Sequence, residues 1–315
     1  MRAGPYTRFS AAAGALALAA ALAVPAAAQD REFGSEIELV DQNVLRVCAD
    51  PDNMPFSNEK EEGFEQAVAK LLAEKLGRAR VAYTYFPQAT GFVRMTLGAY
   101  DCDVIMSYPQ GDELVQNTNA YYTTAYVLIV PADGDLAGVT SLDDERLKGK
   151  RVGVVAGTPA ATYLAKAGLI GRAKPYQLMV DTRLTNVGED MIADMMKGET
   201  DAAVMWGPIG GYYARKAGGN FQIAPIAKQP TLPATVFRIT MGVRASDQEW
   251  KRTLNRFIAA NEPELQRILA SYGVPLFDDA GRPIANSSAA PADVETGVAG
   301  PADEPVTPAT GQGGG

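Results

Sequence analysis

Histidine is absent from this 315-residue sequence, which narrows the chemistry open to it. Without imidazole there is no Ser-His-Asp or Cys-His nucleophile system, no histidine zinc site and no imidazole general base, while carboxylate chemistry remains open. The remaining candidates for chemistry include Cys48, Cys102 and two close carboxylate pairs, Asp50 with Asp52 and Asp112 with Glu113. Asp50 and Asp52 are too sparse for a calcium cage, and no stretch has EF-hand spacing. Asp112 and Glu113 read as a solvated loop, not as a paired-carboxylate acid/base site. With no nucleophile elbow and no metal box either, the chain is not expected to be an enzyme, and no metal or cofactor is implied.

What the sequence offers instead is binding chemistry in short polar and aromatic stretches. CADPDNMPFSNE carries Asp50, Asn53, Pro55 and Phe56; SYPQ carries Ser107, Tyr108 and Gln110. Tyr122, the turn Gly157-Thr158, and Trp206-Gly207-Pro208 complete the set of binding candidates. Asp50, Asn53 and Ser107 can hydrogen-bond a polar molecule, and the aromatic residues can stack on a ring or anchor a partner.

The elements that must position these residues alternate. Val44 to Ala49 reads as a buried strand, and Phe64, Val68, Leu71, Leu72 and Leu76 share one helical face that stops at Gly77. Strand-like Val81 to Phe86, a short helix from Val93 to Leu97, and strands at Asp103 to Ser107 and Ala125 to Val130 follow. The pattern then restarts. KRVGVV is a strand, and a helix follows with Thr158 placed to cap it and Pro159 at its first position. Tyr176 to Val180 is strand-like. Met191, Ile192, Met195 and Met196 stripe a helix closed by Gly198, and that spacing is core packing, not a soft-metal site. Ala202 to Trp206 is a strand, a helix follows it, and Val236 to Val243 alternates as a strand. Ser246 with Glu249, and Asn261 with Glu264, have capping-box spacing before the last two helices. Two βα series imply an α/β protein with parallel-rich sheets flanked by helices. Ligands in such sheets sit at the carboxyl ends of strands, where the candidates fall.

Both ends read differently. Arg2 and Arg8, an Ala/Leu run and Ala26-Ala27-Ala28 make a secretory signal peptide over residues 1–28, cleaved after Ala28. No later segment reaches the ~20 apolar residues that a membrane span needs. From Gly281 to the end, residues 281–315 are rich in Pro, Ala and Gly and read as a disordered tail. The formal charge of −8 becomes about −10 once Arg2 and Arg8 are removed, which argues against nucleic acid and anionic membranes. In an oxidising compartment the default for Cys48 and Cys102 is a disulfide; the alternative is two buried thiols.

RVCADPDNMPF, EEGFEQAVAKLLAEKLG, GKRVGVVAGT and GETDAAVMW, in this order, resemble motifs of the periplasmic solute-binding proteins that bind amino acids for ABC transporters. The resemblance spans nearly all of Asn43 to Tyr272. It implies the two-lobed periplasmic binding protein type II fold (solute-binding protein family 3) with an inter-lobe cleft. Lobe 1 would comprise 35–130 plus 225–280 and lobe 2 would comprise 131–224, with crossings near 130–134 and 223–227. The departures matter as much. Glu113 is followed by Leu114 where amino-acid binders place the Arg that clamps the α-carboxylate, and Leu cannot replace a bidentate guanidinium. Trp206-Gly207 stands where those proteins place an Asp for the ammonium. A free amino acid is therefore a poor candidate ligand. The Gly157-Thr158 turn keeps helix-terminal amides that could hold an anion.

CADPDNMPFSNE, CDVIMSYPQGDELVQNTNAYY and DAAVMWGPIGGYYA together resemble the MxaJ/XoxJ group, solute-binding-like periplasmic proteins associated with quinoprotein (PQQ-dependent) methanol dehydrogenases. That resemblance implies a partner protein, quinoprotein methanol dehydrogenase, and a role in its maturation or activation, including loading of PQQ or metal. An aromatic cleft rim of Tyr108, Tyr121, Tyr122, Trp206, Tyr212 and Tyr213 would serve such contacts. The competing reading is a transporter's binding protein for a small polar or quinone-like ligand. PQQ itself carries three carboxylates, and Arg94 and Arg183 are the only cations expected near the rim.

Overall fold

The computed structural model describes residues 38–88, 91–278 and 280–284. The expected signal peptide, its cleavage site and most of the expected tail lie outside the described residues.

One mixed sheet organises the chain, with strand order β4-β1-β5-β11-β6-β9-β7-β8 and β10 pairing β6. Its first flank is parallel: β1 (Val44–Ala49) pairs with both β4 (Arg80–Tyr85) and β5 (Val104–Pro109). Its other flank is parallel too, with β7 (Val152–Val155) between β8 (Lys174–Tyr176) and β9 (Ala202–Trp206). The centre is antiparallel, where β6 (Gln116–Pro131) runs beside β11 (Val236–Val243). Residues 116–125 of β6 pair with β11, whereas 126–129 pair with β9 and 127–131 with β10 (Phe221–Pro225). The strand thus hands over from one half of the sheet to the other at Ala125–Tyr126.

Each half has its own core. In the first, α1 (Phe64–Lys75), α6 (Gln248–Ala260) and α7 (Glu262–Ser271) lay Phe64, Val68, Leu72, Leu254 and Leu265 against Val47, Met106 and Met241. In the second, α3 (Pro159–Lys166) covers Val152, Val154 and Val204 on one face. On the opposite face α4 (Val187–Met196) and α5 (Gly207–Lys216) cover Val127, Ile129 and Met205. The methionine stripe is core as expected, with Met191 and Met195 buried there and Met196 exposed. Cys48 and Cys102 form a disulfide, with Cα atoms 5.3 Å apart, because β1 and β5 are neighbours.

Several expectations need correction. The strand expected over Ala125 to Val130 is sixteen residues long and starts at Gln116. Gln116, Asn117 and Asn119 have weak strand preference, and pairing with β11 overrides it. Strand β10 falls where only a crossing was expected. The strand expected at Tyr176 to Val180 ends at Tyr176. Neither capping box forms. Ser246 Oγ instead donates to Asp247, and Asn261 Nδ2 donates to the Phe257 carbonyl of the preceding helix. The first amides of α6 are held by the carboxylate of distant Glu38, which local spacing cannot reveal. Thr158 occupies the cap position of α3, but its hydroxyl donates to the Val155 carbonyl at 2.7 Å. A tail beginning at Gly281 starts too early: Phe277 bridges Pro283, Ile284 N donates to the Leu276 carbonyl at 3.0 Å, and Ile284 packs on the first core.

Candidate functional site

The turn after β1 is built by backbone contact. Short strands β2 (Asp52–Asn53) and β3 (Ser57–Asn58) form a two-stranded ribbon, and Gly63 then packs against it. A Cβ on Gly63 would stand 2.0 Å from the Phe56 carbonyl oxygen, so glycine is needed there. The Gln66 Oε1 accepts from the Gly63 amide at 2.8 Å and so starts α1. Phe56 and Phe64 pack ring on ring at a tilt, with centroids 5.1 Å apart.

Asp50 closes this turn rather than facing a ligand. It is buried, and its Oδ1 accepts from the Asp52 amide and from Thr182 Oγ1, each at 2.9 Å. Its Oδ2 accepts from the Gln88 amide. Three segments are thereby tied together: the turn after β1, the turn after β4, and the loop between β8 and α4. Expected as a binding residue, Asp50 has its carboxylate fully engaged inside the protein.

Two cavities flank Trp206. The first is about 550 Å³, lined by Asn53 and Met54, by Thr158, by the loop from Gln177 to Asn186, and by Met191, Met205 and Phe237. Asp52 is its one charged residue among the described lining. The second, about 1010 Å³, is lined by Phe56, Phe92, Ser107, Tyr108 and Tyr122, with Arg94 and Asp112 also on its wall. Gln88, Pro109 and Trp206 line both. Trp206 is fixed edge-on by Tyr126 and Phe237, at centroid distances of 5.2 and 5.5 Å. Its partly buried indole is therefore a shared wall.

The candidates divide accordingly. Asn53, Thr158 and Trp206 meet at the first cavity; Phe56, Ser107, Tyr108, Tyr122 and Trp206 meet at the second. Asp50, Pro55, Gln110, Gly157, Gly207 and Pro208 line neither. Gly207 and Pro208 are buried in the first turn of α5, where a Cβ on Gly207 would lie 2.5 Å from the Ala125 carbonyl oxygen. Pro159, lacking an N–H, leaves the α3 terminus one donor short as an anion holder. Arg183 is exposed and paired with Asp181 at 2.6 Å, holding that carboxyl below its usual range. Of the two expected rim cations only Arg94 lines a cavity. Burial, and then the neighbouring Asp112 charge, push the Tyr108 hydroxyl up to about 12.

Half of the expected aromatic rim is interior. Tyr121, Tyr122 and Tyr213 are buried, the Tyr121 hydroxyl donating to the Met106 carbonyl at 2.8 Å. The exposed apolar side chains near the first cavity are Leu178, Met179 and Leu184, on the loop between β8 and α4. Leu178 to Val180 read as strand in the sequence; lacking a pairing partner beyond Tyr176, they became cavity wall. Met54, Thr182 and Phe237 carried no local signal.

Chemically, the first cavity suits an apolar or aromatic group. Its described lining has no cation for a carboxylate and no free buried carboxylate for an ammonium. The profile of the bacterial extracellular solute-binding proteins, family 3, matches residues 45–275. Protein MoxJ of Methylorubrum extorquens AM1 is 30% identical over 278 residues, covering 83% of this chain and 92% of that one. The crystal structure of periplasmic binding protein XoxJ from Methylobacterium extorquens AM1 superposes with TM-score 0.63 at 36% identity, over 75% of this chain and all (100%) of that one. MxaJ from Methlophaga aminisulfidivorans MPT has the same fold, with TM-score 0.65 at 24% identity over 74% of this chain and 100% of its own. The chain belongs to the bacterial extracellular solute-binding proteins, family 3, has their two-lobed type II fold, and is of the MxaJ/XoxJ type.

Proposed function

We propose that this protein is a periplasmic, solute-binding-like accessory factor that binds a PQQ-dependent methanol dehydrogenase and assists its maturation or activation, without catalysing a reaction itself. The observation that carries this reading is the first cavity. Its described lining has Asp52 as its one charged residue and no cation, and the exposed Leu178, Met179 and Leu184 stand on the loop that walls it. Apolar side chains there are available to a protein surface. Similarity to MoxJ and XoxJ supports the choice of partner. Export with cleavage after Ala28 belongs to the same proposal. So does the division into lobes 35–130 plus 225–280 and 131–224, supported by the change of strand partners inside β6.

A pull-down from periplasmic extract tests it, with the mature chain tagged and bound proteins identified by mass. Stoichiometric recovery of the dehydrogenase is expected, reduced at least tenfold by Leu178→Asp with Met179→Asp. No dehydrogenase, together with a small molecule released on denaturation, would return the protein to transporter-type solute binding. The largely apolar lining of the first cavity favours a neutral, aromatic ligand for that second reading.

A further inference from the structure

The second cavity stands over an acid that the reading above does not use. Glu65, in the first turn of α1, is 3% exposed, and its Oε1 has no hydrogen-bond partner. The side chain lies under the cavity wall, beside Ser107 on β5. Ser107 Oγ is 3.2 Å from the Tyr121 hydroxyl and accepts from the Tyr122 hydroxyl at 3.3 Å. Ser107 and Tyr122 both line the cavity, so they connect the carboxyl to it.

Among the described residues no cation acts on this acid. The one charged group that acts on it is another acid, Asp50 after β1, and the Glu65 carboxyl in turn raises the hydroxyls of Tyr83 on β4 and of Tyr121 and Tyr122 on β6. From α7, Glu264 meets Lys75 at the far end of α1, and Arg267 reaches only Glu264. Arg94 on the cavity wall is exposed and is not among the groups acting on Glu65. Burial first of all pushes the Glu65 carboxyl up to about 8, with Asp50 adding to the rise and Ser107 opposing it. In the empty protein below that pH the group is neutral.

A buried carboxyl without a cation, beneath a cavity walled by aromatic rings, is complementary to a cationic head on an apolar stem. Aromatic faces attract such a head, and an acid beneath it supplies the opposite charge. We propose that the second cavity is a binding site for a primary ammonium group on an aliphatic stem, with Ser107 and Tyr122 as its contacts and Glu65 as its counter-charge. The head docks as its charge draws the proton off Glu65: the carboxylic acid and the ammonium become a carboxylate–ammonium pair, and one proton leaves to solvent. A free alkylamine and a lysine side chain share this chemistry. The free amino acid excluded above differs, because its carboxylate has no clamp here.

Isothermal calorimetry on the mature chain tests this, using n-butylammonium and Nα-acetyl-lysine methylamide as probes. Each is titrated at pH 6.5 and 8.5, in two buffers of different ionisation enthalpy. The expected result is saturable binding with close to one proton released per probe at pH 6.5 and little at pH 8.5. Below the Glu65 pKa the affinity rises about tenfold per pH unit. Binding of butylammonium identifies free amines as ligands; binding of the lysine probe alone identifies a polypeptide lysine. Glu65→Gln is expected to lose at least tenfold in affinity and all proton release. Failure of both probes to bind, binding without proton release, or equal binding by a folded E65Q overturns the proposal. The proton count on the unaltered protein decides the matter even where E65Q does not fold.

Discussion

On one side of Trp206 lies a cavity of about 550 Å³ whose described lining has one charge, Asp52; on the other lies one of about 1010 Å³ with Arg94 and Asp112 on its wall and Glu65 beneath. The first is walled in part by a loop, tied to the rest of the protein by Thr182 and Asp50. The second is walled by the sheet itself and by the disulfide-linked cluster around Phe92, Val93 and Tyr108. The contrast separates two kinds of wall within one fold. The first is almost without charge and carries exposed apolar side chains on its loop. The second keeps polar groups and stands over a buried acid.

The comparison can be broken from either side. The largest effect is expected from Cys48→Ser with Cys102→Ser. The bridge closes a loop with a sequence separation of 54 residues. Loop-closure entropy puts its loss at about 4 kcal/mol in denaturant unfolding. Proteolysis should then begin around the second cavity and spare the loop of the first. Trp206→Ala follows, costing about 3 kcal/mol for a large, partly buried ring and joining the cavities into one. Since Trp206 and Trp250 are the two tryptophans, Trp250→Phe leaves one fluorophore that reports occupancy of either cavity.

Asp50→Asn should cost about 2 kcal/mol, because one oxygen becomes a donor facing amide donors. Its specific signature is faster hydrogen exchange at Gln88 and in residues 177–186, with the second cavity unchanged. The smallest effect at pH 6 is that of Glu65→Gln, under about 1 kcal/mol, since both side chains are then neutral. Its sign with pH is fixed. The carboxyl of Glu65 lies higher in the folded protein than in the unfolded chain, so the stability it contributes is complete at low pH. That stability falls as pH rises from the ordinary carboxylate range to about 8. Thermal melts should therefore show the unaltered protein losing ground to E65Q between pH 5 and pH 8.5, and no change in the gap would contradict the buried acid.

The alternating elements were legible because each strand and helix carries its own period. Val44–Ala49, Phe64–Lys75 and Ala202–Trp206 fold where their apolar residues place them. The disulfide was legible once β1 and β5 were neighbours. Less could be read where contacts are distant in sequence. Gln116 to Thr124 become strand because β11 pairs with them, and Glu38 caps α6 across 211 residues. Leu114 lines the second cavity, and that it follows Glu113 was readable directly. The direction of side chains was not. Asp50 turns inward to Gln88 and Thr182, Tyr121 and Tyr213 enter the core, and Leu178 and Met179 stay exposed.

The central claim is that the first cavity and its apolar loop serve a protein rather than a solute. Sedimentation velocity on the purified mature chain mixed with the methanol dehydrogenase of the same bacterium tests it most directly. The account predicts a discrete complex that persists in excess free amino acids and is lost with Leu178→Asp and Met179→Asp. Independent sedimentation of the two proteins, under conditions where both are folded, would contradict it.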